Sequence, residues 1–353
     1  HSLVSDGIIS GVGGVMTFVP LIFTMFLFVA ILEDTGYIAR IAFILDKVLK
    51  AFGLQGKSIL AMIVAGGLGG GGCAVPGVMA TRTLREEKDR LITILVVPFM
   101  NCGAKMPVYL MLIAAFFAAR RAEMLFTLWA LSWAFSLTAA YFLRRFLIKG
   151  EQTPFVMELP AYHVPTFKGV MIHTWERTWL YMKKAGTIIL AINVLIWAAM
   201  YFPRLPDEDL KEKTKEEAAS AQLANSVAGR LGRTLEPISK LAGFDWKTNI
   251  ALIGGFAAKE VVVGTLGTAY SMGKVESEEA EPLSKKLASD PDWSPLKAFV
   301  LMIFVMLYAP CFVTITVIWR ETGSWRWALF STLYTTTIAF IVAVLIFQVG
   351  RVL

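Results

Sequence analysis

The chain has little of what soluble catalytic and metal centres are usually made from: three cysteines and three histidines in 353 residues. Three thiols cannot build a disulfide framework. No Cys-x-x-Cys occurs, which excludes the familiar zinc motifs. Charge is scarce too: Asp, Glu, Lys and Arg make up 17% of the chain against 56% hydrophobic residues, and the mean hydropathy is +0.61. That excludes an ordinary soluble domain. The net charge of +7 is scattered over loops among acids, and no basic module with interleaved aromatics stands out, so no nucleic-acid partner is expected. A phosphate-binding loop is missing as well. Gly56-Lys57-Ser58 ends like one, but Ala51 stands where its first glycine is required and no strand precedes it. The chain begins at His1 without a basic start, short apolar run and cleavage site, so it reads as having no signal peptide and as a fragment or processed chain.

What is present is long apolar sequence. Residues 13–32, 124–143, 185–202, 296–318 and 327–348 each approach the length that crosses a bilayer as a helix. The expectation is therefore a polytopic, all-α membrane protein. Between the first span and the next apolar run, Ile38, Ile41, Phe43, Ile44, Val48 and Leu49 alternate with Arg40, Asp46, Lys47 and Lys50 at helical spacing. That pattern predicts a helix lying in the membrane interface. Residues 155–179 follow Pro154 and carry His163 and His173, and read as an extramembrane connection with a short helix and surface histidines. Residues 207–217 and 273–293 read as solvated polar stretches.

Four apolar segments are interrupted. Residues 65–83 hold the run Gly69-Gly70-Gly71-Gly72-Cys73 followed by Pro76, and residues 91–117 hold Pro98, Asn101-Cys102-Gly103, Lys105 and Pro107. Residues 249–270 carry Lys259-Glu260 at mid-segment, and Pro310-Cys311 lies inside 296–318. Glycine and proline open the backbone and free its carbonyls and amides. In lipid this is tolerated only where protein or a watery cavity receives those groups. All three cysteines fall at such breaks. Sulfur, opened carbonyls around 70–75 and a carboxylate make a set that suits Fe(II), Zn(II), Cu(I) or Mn(II). Cys73, Cys102 and Cys311 are the candidate ligands, with Glu260 as an intramembrane carboxylate. Each has a plainer reading: the thiols as small core hydrophobes, Lys259 as a structural partner of a carboxylate, and Lys105 as packing charge or as a counter-charge to a thiolate. Glu33 and Asp34 close the first span, either as an acidic mouth or as a solvated helix end.

A repeat runs through the chain at one offset. Arg40, Lys50, Gly53, Lys57, Ala61 and Ile63 reappear as Arg230, Lys240, Gly243, Lys247, Ala251 and Ile253, and Asp46 and Ser58 are answered by Glu236 and Thr248. Residues 1–150 and 185–353 then read as two related halves joined by 151–184, with polar insertions near 204–235 and 272–294. Paired discontinuous segments in two halves point to a secondary-transporter site at the bilayer midplane. If 58–81 and 249–270 are re-entrant hairpins, each half crosses three times and the halves are inverted; if they cross fully, the repeat is parallel.

Five stretches, Leu32-Glu33-Asp34-Thr35-Gly36-Tyr37, Gly72-Cys73-Ala74-Val75-Pro76, Asn101-Cys102-Gly103-Ala104-Lys105-Met106-Pro107, Ala258-Lys259-Glu260-Val261 and Tyr308-Ala309-Pro310-Cys311, together resemble the membrane domain of FeoB-type ferrous iron transporters, in order and over nearly the whole chain. The resemblance implies multi-pass placement in a prokaryotic cytoplasmic (inner) membrane and Fe(II) as transported substrate, with no tightly bound cofactor. It also implies Cys73, Cys102 and Cys311 as path residues with Glu33 and Glu260 as acidic partners, a GTPase domain in the same chain or in trans, and a homo-oligomer as one assembly. The first gate departs from the family in having Ala74 where Asn is usual. The hairpin plan is also similar to that of concentrative nucleoside transporters, so a nucleoside or small-organic-solute carrier is the alternative. A membrane redox or receptor protein is a third class.

Overall fold

A computed structural model describes residues 10–66, 71–148, 162–203, 215–270 and 281–352. Among these the chain is helical, and the one extended pairing is an isolated parallel bridge between Gly72 and Cys102. The first half comprises α1 (Ser10–Asp34), α2 (Tyr37–Ala51), α3 (Ser58–Gly66), α4 (Ala74–Ala80), α5 (Glu87–Val96), α6 (Met106–Phe116) and α7 (Arg121–Phe142). The second comprises α8 (Phe167–Tyr201), α9 (Lys215–Asn225), α10 (Val227–Ser239), α11 (Trp246–Ala257), α12 (Val261–Ala269), α13 (Glu281–Ser289), α14 (Pro295–Leu307), α15 (Phe312–Thr322) and α16 (Trp325–Val352).

Three stretches among the described residues are long and apolar enough to cross a membrane: Ala118–Leu147, Pro295–Thr322 and Trp325–Val352. A fourth candidate is the pair Ile22–Asp34 and Tyr37–Ala51, bent by 81°. The bend falls at Gly36, whose φ of 73° is open to glycine without a Cβ penalty. Past it, α2 buries Ala42, Asp46 and Leu49 and exposes Phe43, Ile44 and Val48, as an interfacial helix with its apolar face in lipid does.

The repeat read from the sequence has a structural counterpart. α2 ends at Gly53 with φ 81°, and α10 with its following turn ends at Gly243 with φ 78°. Each carries an i,i+4 ion pair at the same place, Lys50–Asp46 at 2.6 Å and Lys240–Glu236 at 3.3 Å. α3 and α4 then pack on one another, as do α11 and α12. At 9, 7, 12 and 9 residues none of the four reaches the roughly 20 residues a crossing needs. The arms run antiparallel: a Cβ on Gly72 would touch Val64 and Ala65, and one on Gly77 would touch Ala65 and Ala61. Both pairs are re-entrant hairpins.

Contacts at the helix ends show that the hairpins open to opposite sides. At one end Arg144 of α7's extension lies against Gly53 and pairs with Asp89, while Arg82 and Arg90 pair with Glu321 of α15. At the other, Phe116 stacks on Trp293, Trp293 bonds to Tyr270, and Gln348 of α16 bonds to Leu241. The mouth of α3–α4 belongs to the first end and that of α11–α12 to the second. The two hairpins thus face opposite ends of the helix bundle, the arrangement an inverted repeat calls for.

Three expectations are corrected. α8 runs unbroken from Phe167 to Tyr201, so most of the 151–184 connection is helix; every proline of that stretch precedes Phe167, and only 149–161 lies outside the described residues. Within 204–235, residues 204–214 also lie outside the description, but α10 is the counterpart of α2 and not an insertion. Within 272–294, α13 packs on α6 with Leu283 and Leu287 fully buried. Two leucines four apart suffice to dock one face of so short a helix.

The hairpin geometry generates a test. A Cβ at Gly77 would meet the Ala65 Cβ at 2.6 Å and the Ala61 carbonyl oxygen at 2.9 Å, one at Gly72 would meet the Ala65 carbonyl at 2.6 Å, and one at Gly71 meets nothing within 4 Å. Gly72→Ala and Gly77→Ala are each expected to cost about 1–3 kcal/mol, read as a lower unfolding temperature in detergent, with Gly71→Ala near wild type.

Candidate functional site

The four breaks converge. Cys73 precedes α4 with φ −137° and ψ 134°, and Cys311 precedes α15 with φ −61° and ψ 153°. These two helices lie side by side and parallel. Val75 packs with Val313 between Cys73, Cys311, Met79 and Val317, and at the far end Arg82 binds Glu321 through both carboxylate oxygens. The symmetry-related pair also touches, α12 resting on α6. Cys73 and Glu260 therefore hold equivalent positions, each the residue before the second arm of a hairpin. Cys102 and Cys311 likewise each end the break in a discontinuous helix.

The breaks are hydrogen-bonded to one another. Gly103 N–H donates to the Gly72 carbonyl at 2.8 Å, Cys73 N–H to Val64 at 3.0 Å, and Gly77 N–H to the Cys73 carbonyl at 3.2 Å. The carbonyls of Gly72 and Cys73 are thus already accepting, contrary to the expectation of open oxygens around 70–75; Gly70 lies outside the described residues. Asn101 donates to the Leu128 carbonyl at 3.1 Å and accepts from Tyr109 at 3.0 Å. Buried Lys105 donates to the carbonyls of Pro98 at 3.3 Å, Met100 at 3.0 Å and Met306 at 2.8 Å. Buried Lys259, at the tip of the second hairpin, donates to the Ala309 carbonyl at 2.6 Å, and its ammonium sits 3.0 Å from the centre of the Tyr308 ring. The structural partner that Lys259 has is a helix-break carbonyl and an aromatic face.

Of the sequence-read candidates, Cys73 lies within electrostatic reach of Cys102, Cys311 and Glu260. All three thiols are free and half-buried, and Cys311 shares a 3.1 Å hydrogen bond with Thr314. Glu33 is elsewhere engaged, paired with Arg177 of α8 at 2.9 Å at a half-exposed helix end. His163 and His173 are exposed. Among the described residues no three His, Cys, Asp or Glu side chains are grouped closely enough to hold a metal ion as they stand.

Sequence reasoning missed the polar lock at the mouth of the first hairpin. Glu321, near the end of an apolar span, is 5% exposed and binds both Arg82 and Arg90. Asp89, in the first turn of α5 outside the bilayer, binds Arg144 at 2.9 Å and accepts from Gln55 at 2.6 Å. Burial pushes the Asp89 carboxyl above its ordinary value, with Arg144 and then Gln55 pulling it back, while hydrogen bonding to Glu321 raises the Arg82 guanidinium. The charge of 82–90 was legible, but its partners lie 34 to 239 residues away.

Comparison with known proteins fits this geometry. The family model described as "Gate: Nucleoside recognition" matches residues 15–116 and 182–325, and "Ferrous iron transport protein B C terminus" matches 125–177. The Fe(2+) transporter FeoB of Campylobacter jejuni is 42% identical over 353 residues, covering 100% of this chain and 56% of its own. That of Methanocaldococcus jannaschii is 39% identical over 352 residues, covering 100% and 50%. A protein of Porphyromonas gingivalis named as a fusion of Fe(2+) transport protein A and FeoB is 40% identical over 377 residues, covering 99% and 44%. The chain thus spans about half the length of the curated relatives it matches. No solved structure matches it.

The lock yields a pH-dependent prediction. Removing a buried ion's partner costs about 3–5 kcal/mol, so Arg144→Met is expected to lower stability by that order at neutral pH. Because the folded Asp89 pKa lies above the unfolded one, its ionisation subtracts stability as pH rises through that range. The deficit of the variant should therefore shrink as pH falls, a protonated Asp89 needing no cation; unfolding midpoints at pH 8 and pH 5 give the comparison.

Proposed function

Because the chain belongs to the Gate family, in the form that FeoB proteins carry as their membrane part, we propose that it moves Fe(II) across the prokaryotic cytoplasmic membrane. The observation that supports this reading is the meeting of the breaks. Two hairpin tips and two broken helices from opposed halves carry Cys73, Cys102, Cys311 and Glu260, the last three each within electrostatic reach of Cys73. Fe(II) is a borderline cation that accepts sulfur and carboxylate together. Thiols bind a metal as thiolates, so loading such a path releases protons and unloading recovers them. Glu260 contributes a carboxylate at the position equivalent to Cys73. Glu33, paired with Arg177, serves at the membrane surface as an acidic mouth.

The inverted halves supply the mechanical part. Hairpins opening to opposite sides give each face of the membrane its own gate, and alternation between them carries the ion past the midplane. The printed name of one relative, a fusion of Fe(2+) transport protein A with FeoB, supports a protein of the first kind as a partner for this membrane part, and the proposal adds a GTPase domain in the same chain or in trans. A homo-oligomer is one arrangement in which these would assemble.

The test is metal flux into liposomes holding the purified chain, with iron kept reduced. Wild type is expected to take up Fe(II), and Cys102→Ser and Cys311→Ser, folded, to lose at least about tenfold, the loss seen even when groups merely supporting a ligand are removed. Equal uptake by all three proteins would make the cysteines structural. Uptake of labelled uridine in place of Fe(II) would transfer the assignment to a nucleoside carrier, for which the family description is apt.

A further inference from the structure

The mechanism above makes no use of Lys105, yet its ammonium is buried and donates to three carbonyl oxygens. Its side chain is 3% exposed, deep in apolar surroundings. An ammonium has three N–H donors and no acceptor. Here the three are matched by three main-chain oxygens, Pro98 at 3.3 Å, Met100 at 3.0 Å and Met306 at 2.8 Å. Pro98 and Met100 come from the broken helix of the first half. Met306 comes from α14, the broken helix of the second, 201 residues away along the chain. Met306 stands in the last turn of α14, where a helix leaves its carbonyls without intrahelical partners.

We propose that these three carbonyls form a binding site for a primary ammonium group, filled in cis by Lys105, and that the bound ammonium is what joins the broken helix of one half to that of the other. The lysine is a tethered ligand, and the cage belongs to the backbone. A cation passing Cys102 meets these oxygens already occupied, which leaves sulfur as the principal donor there. This last consequence rests on the transport reading; the cage itself does not.

The experiment replaces the tether and supplies the ligand free. Purified Lys105→Ala is unfolded by heat in ethylammonium chloride and in tetramethylammonium chloride at the same concentration. Ethylammonium has the three donors, and tetramethylammonium has the charge without them. The expected result is a midpoint at least about 3 °C higher in ethylammonium at a concentration well above its dissociation constant, with wild type showing no difference. Equal midpoints for the variant in both salts, or an equal shift in wild type, overturn the proposal. If Lys105→Ala does not fold in either salt, Lys105→Arg and Lys105→Met decide: midpoints below wild type for both support a cage specific for an ammonium group, and a wild-type midpoint for either overturns it. The readout needs no flux, so a failure of Fe(II) uptake in wild type would leave it standing.

Discussion

A helix opened inside a hydrocarbon layer leaves polar backbone that water cannot reach, and every such group costs free energy until protein receives it. Most of the central architecture follows from that one constraint. The first hairpin tip and the first broken helix solve it together, through the Gly72–Cys102 bridge and the Gly103-to-Gly72 hydrogen bond. Asn101 is held between Tyr109 and the Leu128 carbonyl. The remaining carbonyls are met by two buried ammonium groups. The halves solve the same problem from different places: Met100 and Ala309, each two residues before a break cysteine, are capped by Lys105 within its own break and by Lys259 from a hairpin tip. Inverted symmetry fixes where the breaks fall, and the side chains that satisfy them need not obey it.

How much of this was legible in the sequence depends on the range of each signal. Three of the five spans, the interfacial helix α2 and the four breaks are local, written in hydropathy, 3.6-residue spacing, glycine and proline, and they appear where those residues stand. The repeat was legible because Gly53 and Gly243 both need a left-handed backbone and Asp46 and Glu236 both pair with a lysine four residues on. The partners of Lys105 and Lys259 were not legible. Pairing one ammonium with a carbonyl 201 residues away is a fact of tertiary structure that no local pattern encodes. α13 was misread because polar and charged residues dominate its composition, while its docking face is Leu283 and Leu287 with the buried Ser284 beside them. Residues 167–184 were misread because histidines and charges resemble a connection, although no proline interrupts them and a helix can extend beyond the bilayer carrying such residues.

The candidate site was legible as residue types and not as geometry. All three cysteines were marked by their breaks, and three breaks from distant parts of the chain do come within reach of one another. Glu260 joins them because it ends the second hairpin tip, as Cys73 ends the first. Glu33 was marked by its charge alone, and charge at a helix end found the ordinary outcome, an ion pair with a neighbouring helix.

The three thiols are held by three different kinds of constraint, and this bears on what can move. Cys102 is fixed by main-chain pairing to the first hairpin tip. Cys73 and Cys311 begin two parallel helices whose sides interlock at Val75 and Val313 and whose far ends are clamped by Arg82 and Glu321. Drawing Cys73 away from Cys311 means sliding one valine past the other or breaking a two-oxygen guanidinium–carboxylate contact on a carboxylate that is 5% exposed. On the opposite side α12 meets α6 without such a clamp among the described residues, and its hairpin is tied to the second broken helix by Lys259, on the Ala309 carbonyl and the Tyr308 ring, and by the edge-to-face contact of Phe256 with Phe312 of α15. The two gates are therefore tied differently: the one beside Arg82 and Glu321 by a two-oxygen guanidinium–carboxylate clamp at its mouth, and the one beside Tyr270 and Trp293 by Lys297 against Asp245 at 3.8 Å and Lys247 over the Tyr270 ring at its mouth, with Lys259 at its tip.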